Sequence, residues 1–470
     1  MGIRMFRGDV LGRSSRFKDP GREYMKGRAR IILTGVCLAL FLPVSACSPF
    51  AGSGRNSGIS AEAGTETWNP VPGGQDPSEG STRDLAGQGY PREKVREPAP
   101  AEHTSPDDPG THAEDSPDQT PYHPSDTVRL VAVGDILMHD RIIAAGKRED
   151  GSYDYRFIFE NVKETISCAD IAVVNQETIL GGKELGLSGY PSFNSPFEVG
   201  DAEADAGFDI ILHATNHALD RGFKGIQNCV GFWEECHPGV TYLGIRDEEP
   251  EEPPLYITEC NGIKIAFLNY TYGTNGIRPP EGREYIVDVL DSERVAEDLD
   301  RAEKEADITV VFPHWGTEYS PEVSPEQEKW TGLFLEHGAD ICIGTHPHVI
   351  EPVREVTDEE GHSMLVYYSL GNFVNATSGQ GKKVTPRMVG GIADMCIRKD
   401  AGGKCYVHHY SAVPVVCHLT EDSAQVYFLK DYNGEMALEN RIRLQDPDFS
   451  YEACLHVVEQ VWGPEYLPRR

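Results

Sequence analysis

The sequence predicts an α/β fold, and three observations carry that prediction. Short apolar runs of buried-strand type recur along the chain, helical periods fall between them, and the runs end in polar residues suited to binding metal. Leu130-Val131-Ala132-Val133, Ile171-Ala172-Val173-Val174 and Ile210-Ile211-Leu212 are the first such runs. Ile308-Thr309-Val310-Val311-Phe312 and Ile341-Cys342-Ile343 continue the series. Between them, Val295, Leu299, Ala302 and Ala306 recur at helical spacing within residues 291–306. Ser324-Pro325-Glu326-Gln327 combines an N-cap serine, a proline at the first helical position and a capping-box glutamine, and that helix should stop at Gly338. Residues 365–368, 392–397, 406–416 and 425–429 are β-rich and are expected to form a second sheet packed on the first.

The strand ends hold the chemistry. Asp135 follows the first run, Asn175 and Glu177 the second, and Asn216 and His217 the third. His314, Trp315 and Glu318 follow the fourth, and His346 and His348 the last. In open α/β sheets the crevice beyond the carboxyl ends of the strands is the usual ligand site. Imidazole, carboxylate and amide oxygen together suit Mn²⁺, Fe²⁺ or Zn²⁺ better than a thiolate set would. Asn372, in Ser369-Leu370-Gly371-Asn372-Phe373, is placed to orient a ligand histidine. Trp315 and Glu318 are candidates to orient His314 or line the pocket, with core packing the alternative for Trp315. Asp220 is read as fixing the turn into the next helix, and His408, His409 and His418 as lying on exposed strand faces.

Six motifs in order carry a family resemblance: Gly134-Asp135-Ile136-Leu137-Met138, Asn175-Gln176-Glu177, Asn216-His217-Ala218-Leu219-Asp220-Arg221-Gly222, His314-Trp315-Gly316-Thr317-Glu318-Tyr319, Gly344-Thr345-His346-Pro347-His348 and Tyr368-Ser369-Leu370-Gly371-Asn372-Phe373. They resemble the CapA/PgsA proteins of poly-γ-glutamate capsule synthesis, over about residues 128–416. That family is similar to calcineurin-like metallophosphoesterases. The resemblance therefore implies a two-sheet β-sandwich flanked by helices, with one or two divalent ions at the strand C-terminal ends. Carried over residue by residue, it implies Asp135 and His348 as ligands of a first ion and Glu177 as a bridging carboxylate. Asn216, His314 and His346 would hold a second ion, and His217 would protonate a leaving group or steady the reacting centre. The sequence departs from the phosphoesterase pattern at Leu137, where a ligand histidine is usual. His139 or Asn175 is the candidate replacement, and a single-ion site is the alternative.

The N-terminal segment reads as an export signal. Met25-Lys26-Gly27-Arg28-Ala29-Arg30 is a basic n-region, and Met25 is a better start than Met1. An apolar stretch follows, ending in the lipobox Val44-Ser45-Ala46-Cys47, so Cys47 would carry a lipid. The expected organisation is a signal peptide at 1–46 and an acidic, proline-rich tether at 47–127. A metallophosphoesterase-like domain at 128–420 and a C-terminal extension packed on it at 421–470 complete the chain. Of the 43 Lys/Arg and 75 Asp/Glu, nine and three lie in residues 1–46, which leaves a net charge of −38 beyond the signal. That balance argues against nucleic acid as a partner. Cys168, Cys229 and Cys342 are read as buried thiols, while Cys396, Cys405 and Cys417 could pair across a hairpin.

Two functions follow as expectations. One is an exported, lipid-anchored, metal-dependent hydrolase of capsule synthesis, on the outer face of a bacterial membrane, cleaving a phosphoester or amide bond. The other is a non-catalytic metal-binding component of a polyglutamate assembly complex. The implied partners are an anionic polymer or its precursors, the membrane through Cys47, and membrane-embedded capsule synthesis proteins. Arg278, Arg283, Arg387, Lys382 and Lys383 are candidates for a basic patch that would draw such a polymer to an acidic protein.

Overall fold

A computed structural model describes residues 126–377 and 383–468. The signal segment, Cys47, nearly all of the tether, and Lys382 lie outside the described residues. Four parallel strands begin the first sheet: β1 (Thr127–Ile136), β2 (Ile171–Gln176), β3 (Ile210–Leu212) and β4 (Thr241–Leu243). The second sheet follows, in the order β5 (Tyr256–Cys260), β6 (Ile263–Thr271), β7 (Ile308–His314), β8 (Ile341–Ile343), β10, β9, where β9 is Val353–Thr357 and β10 is Ser363–Tyr367. The chain then returns to the first sheet. There β11 (Asn372–Val374) pairs with β1, and β12 (Val389–Lys399), β13 (Cys405–Leu419) and β14 (Ala424–Phe428) extend its other edge antiparallel.

Alternation along the second sheet separates two cores. Ile265, Phe267, Val310, Phe312, Ile341, Ile343, Leu365 and Tyr367 belong to the main core with the first sheet. Their neighbours Ala266, Leu268, Val311, Cys342, Met364 and Val366 pack instead with Val295, Leu299, Ala302, Trp330 and Phe334. Successive strand side chains point to opposite faces, so every second residue serves each core. The first sheet is served by α1 (Asp140–Gly146), α2 (Lys163–Ser167), α3 (Glu198–Ala206) and α4 (Gly222–Cys236), whose apolar residues join the main core. The smaller core is closed by α5 (Ser292–Glu305) and α6 (Pro325–Glu336). Asp291 caps α5 by accepting the Arg294 N–H, and α6 starts in the full Ser324/Gln327 capping box. Two short C-terminal helices follow, α7 (Gly434–Glu439) and α8 (Tyr451–Val461), and α8 contacts β12. The result is a two-sheet β-sandwich flanked by helices.

The expected strands form, but the division between sheets differs from the expectation. Of the four C-terminal β-rich segments only the first joins the second sheet, as β10: β12, β13 and β14 complete the first, while β7 and β8 lie in the second. The physical reason is the free edge of β1. The parallel set β1 to β4 occupies only one side of it, and the hairpin of β12 and β13 covers the other edge, which would otherwise expose unpaired backbone groups. Three other expectations are corrected. Cys168 is exposed, and all nine cysteines among the described residues are free, including Cys396, Cys405 and Cys417. His418 is buried, with Nδ1 2.9 Å from the Tyr432 hydroxyl.

Close backbone approach fixes the site end of β1. A Cβ on Gly134 would stand 2.0 Å from the carbonyl oxygen of Gly371, whose own φ is +63°. Only glycine allows that contact, and it sets Asp135 opposite Asn372 in the β1–β11 register.

Candidate metal centre

Both sheets deliver side chains to one place, beyond the C-terminal ends of β1, β2, β3, β7 and β8. From the first sheet come Asp135, Asn175, Glu177 and Asn216, all buried. From the second come His314 at the end of β7, and His346 and His348 in the turn after β8, also buried. That turn is strained: φ is +99° at His346 and +60° at His348, and Tyr319 beside it has φ +67°. Positive φ costs a non-glycine residue free energy, and such costs gather at functional sites.

Glu177 stands between the histidines. Its Oε1 lies 3.7 Å from Nε2 of His314 and 3.7 Å from Nε2 of His348. Ligand atoms of Glu177, His346 and His348 all fall within 4.8 Å of one another. Burial first, and then the charge of Asp135, push the Glu177 carboxyl well above its ordinary range. Burial likewise pushes His314 and His346 well down, with the neighbouring histidines adding to it, so both rings are neutral. Neutral imidazole is the form that ligates.

The tautomer of His348 follows from its partners. Nδ1 faces two acceptors, Asp135 Oδ2 and Asn372 Oδ1, each at 3.1 Å. Nδ1 therefore carries the proton and donates, which leaves the Nε2 lone pair directed at the Glu177 side. Asn372 also holds the turn by donating to the His348 carbonyl at 2.9 Å. Asp135 has both oxygens engaged, since Oδ1 accepts from Asn175 Nδ2 at 2.8 Å. In this arrangement it orients His348 from the side opposite Glu177. On the other flank, Nε2 of His314 and Oδ1 of Asn216 meet at 3.0 Å, with the Thr345 hydroxyl 2.9 Å from the His314 Nδ1.

The buried polar atoms test whether a cation fits. Both oxygens of Glu177, Nδ1 of His346 and Oδ1 of Asn175 are buried without a hydrogen-bond partner among the described residues. Unpartnered buried acceptors are costly and call for an explanation. Four lone-pair atoms with no protein donor, around a carboxylate and neutral imidazoles, fit a divalent cation. Of the two candidate replacements for the histidine missing at Leu137, Asn175 retains a free acceptor. The His139 Nδ1 already accepts the Ala376 N–H at 3.4 Å, and burial with His348 nearby pushes that imidazole down to about 4.

His217 lies at the cleft above this group. Its Nδ1 is 2.8 Å from Asp220 Oδ2, which also accepts the Phe193 N–H at 2.7 Å, and its ring meets Phe193 edge-on at 4.6 Å. Asp220 thus does more than shape a turn, contrary to the reading from sequence; the i, i+3 spacing to His217 was the available signal. Thr345 and Tyr319 were also missed, since neither is a ligand type. Trp315 sits in the smaller core, its Nε1 donating to the Tyr368 carbonyl at 2.9 Å, so it neither orients His314 nor lines the cleft. Glu318 is exposed at the cleft wall. The cleft measures about 290 Å³ and also takes in Leu137, His139, Phe193, Tyr319 and Arg387. Of the basic-patch candidates among the described residues, Arg387 alone lines it; Arg278 and Lys383 are exposed elsewhere and Arg283 stacks on Phe223 at 4.2 Å.

Fold and site together define an α/β sandwich protein with a histidine–carboxylate centre where its two sheets meet. The chain belongs to the bacterial capsule synthesis protein family (PGA_cap), which matches residues 129–377. It is 27% identical over 262 residues to the capsule biosynthesis protein CapA of Bacillus anthracis, covering 54% of this chain and 61% of that protein. It is 31% identical over 180 residues to the PGA biosynthesis protein CapA of Bacillus subtilis (strain 168), covering 36% of this chain and 43% of that one. The matches thus span less than two thirds of these relatives. A solved 5′-nucleotidase precursor from Thermus thermophilus aligns at 14% identity and TM-score 0.37, over 71% of this chain and 59% of that one, a likeness too slight to add to the fold described above.

Proposed function

We propose that this protein is a divalent-metal-dependent hydrolase of capsule synthesis, acting on an anionic polymer or its precursor. The observation that carries the reading is the set of unpartnered buried acceptors on Glu177, His346 and Asn175 among the rings of His314, His346 and His348. Glu177, His348 through Nε2, Asn175 through Oδ1, His314, His346 and Asn216 are the residues that would hold the ion. An ion held there supplies an activated water and charge stabilisation for the leaving atom; Mn²⁺, Fe²⁺ and Zn²⁺ suit the donor set.

The chain's own residues supply the rest. Asp220 only accepts, so the His217 Nδ1 is the donor in their contact, and the proton in play is the one at Nε2, on the cleft side. When Nε2 is protonated, His217 gives that proton to a leaving oxygen or nitrogen, and Asp220 stabilises the cation before the transfer. Phe193 and Leu137 keep the walls apolar around that exchange. Export and a lipid on Cys47, which would hold the domain at the outer membrane face beside membrane-embedded synthesis proteins, belong to the same proposal.

The direct test is hydrolysis of a generic phosphodiester and of poly-γ-glutamate by the metal-loaded protein and by His217→Gln. The expected result is turnover that falls on the order of 10²–10⁴-fold in the variant with metal content unchanged. Metal binding with no turnover that depends on His217 would favour the second reading, a non-catalytic metal-binding component of the assembly complex. That reading has one specific observation on its side, Leu137 in place of a ligand.

A further inference from the structure

We infer that Arg387, propped on Tyr319, is the substrate-anion contact of the cleft. The chain carries a formal charge of −32, and several of its half-buried arginines are matched to acids. Arg129 pairs with Asp394, and Arg246 and Arg294 share Asp288. Arg387 is not among these, and it is the arginine that lines the cleft. Among the described residues no carboxylate pairs with it, and its guanidinium lies over the Tyr319 ring with Cζ 3.5 Å from the centroid. A cation–π contact fixes a guanidinium while leaving its edge N–H donors free.

The mounting ties this cation to the metal turn. The Tyr319 N–H donates to the carbonyl of Pro347, between the two turn histidines, at 2.7 Å. The Tyr319 ring packs on His348 with centroids 5.8 Å apart. The Arg387 carbonyl is held from the other side by Nδ2 of Asn372 at 3.0 Å and Nδ2 of Asn375 at 2.7 Å. Tyr319 is 45% exposed and has φ +67°, so core packing accounts for neither its ring nor its backbone. A strained tyrosine that carries an unpaired arginine beside a ligand histidine is a built recognition element.

The ligand class follows from the donor. A planar guanidinium takes an oxyanion, carboxylate or phosphate, in bidentate fashion. Glu318, on the same wall, repels anions from its own side and leaves Arg387 as the docking point. An anionic group of the substrate therefore docks beside the turn that holds His348, next to the scissile bond. That position rests on the hydrolase reading above; the binding itself does not.

The test is equilibrium binding of a fluorescent γ-linked glutamate oligomer to the full chain in Mn²⁺ buffer, with inorganic phosphate as competitor. Arg387→Gln should weaken binding at least tenfold, Arg387→Lys less, and Tyr319→Leu several-fold, with metal content unchanged in all three. Phosphate binding that is lost in Arg387→Gln, without oligomer binding, makes the recognised oxyanion a phosphate. Three results overturn the inference: Arg387→Gln binding both probes like the wild type, Arg387→Gln losing its metal, or a wild type that binds neither probe. A wild type that binds the oligomer through Arg387 and never cleaves it contradicts the hydrolase reading alone.

Discussion

The two sheets bring opposite chemistries to one site. The first sheet supplies oxygen: Asp135, Asn175, Glu177 and Asn216, at or just beyond the ends of its strands and none of them at positive φ. The second supplies nitrogen: His314 at a strand end, and His346 and His348 in a turn forced to φ +99° and +60°. On the first sheet, strand register sets the side chains, and a hydrogen bond between neighbouring strands, Asn175 to Asp135, locks two of them. On the second, the local backbone bears a conformational cost to aim two rings at the same carboxylate. Oxygen ligands could be placed by ordinary sheet geometry, whereas two imidazoles two residues apart in a strand would not converge on Glu177 without a bend.

The largest effect that sharpens this contrast belongs to Asp220, the first-sheet partner of His217. Asp220→Asn should lower kcat about 10–100-fold, the range typical of losing an orienting partner, with metal content intact. Steady-state kinetics beside metal analysis decide it; an unchanged kcat would mean His217 needs no orientation.

Next come two stability changes of opposite sign, measured by urea unfolding in chelator. Asn175→Ala strands an oxygen of Asp135 and should cost about 1–3 kcal/mol. His346→Gly relieves the left-handed backbone and should gain about 1 kcal/mol. If both destabilise equally, the claim of a relaxed first rim and a strained second one fails.

The smallest effect is a pH dependence beneath the second rim. Glu351 is buried behind the histidine turn, where burial pushes its carboxyl up to about 8 while a hydrogen bond from Gln327 opposes the shift. The folded state therefore holds a proton more tightly than the unfolded chain, whose carboxyl titrates near 4.5. This group's stabilisation is complete below about pH 4.5 and is lost as pH rises through about 8. Glu351→Gln should match the wild type near pH 5 and exceed it by roughly 1 kcal/mol or more at pH 9. Parallel pH profiles for the two proteins would contradict this.

How much of this was legible in the sequence differs between elements. The strands β1, β2, β3, β7 and β8, the period of α5 and the capping box of α6 could be read because period and capping chemistry are local. The sheet to which β12, β13 and β14 belong could not, since pairing partners are set by which edge remains open after β1 to β4 assemble. β6 went unread despite its apolar run Ile263-Lys264-Ile265-Ala266-Phe267-Leu268. In the site, the residue types and the order of the motifs exposed His346, His348, His314 and Glu177. The engagement of Asp135 with His348, the Thr345 contact of His314 and the Tyr319–Arg387 pair depend on groups far apart in the chain, which no local pattern records.

Glu177 is the point where the oxygen rim and the nitrogen rim meet, so the most direct measurement is metal stoichiometry of the purified full chain and of Glu177→Gln after exposure to Mn²⁺ or Zn²⁺. At least one ion per folded wild-type chain is expected, with loss of that ion in the variant and the fold retained by circular dichroism. A folded wild type that binds less than one ion per chain, or a variant that binds as much as the wild type, would contradict it.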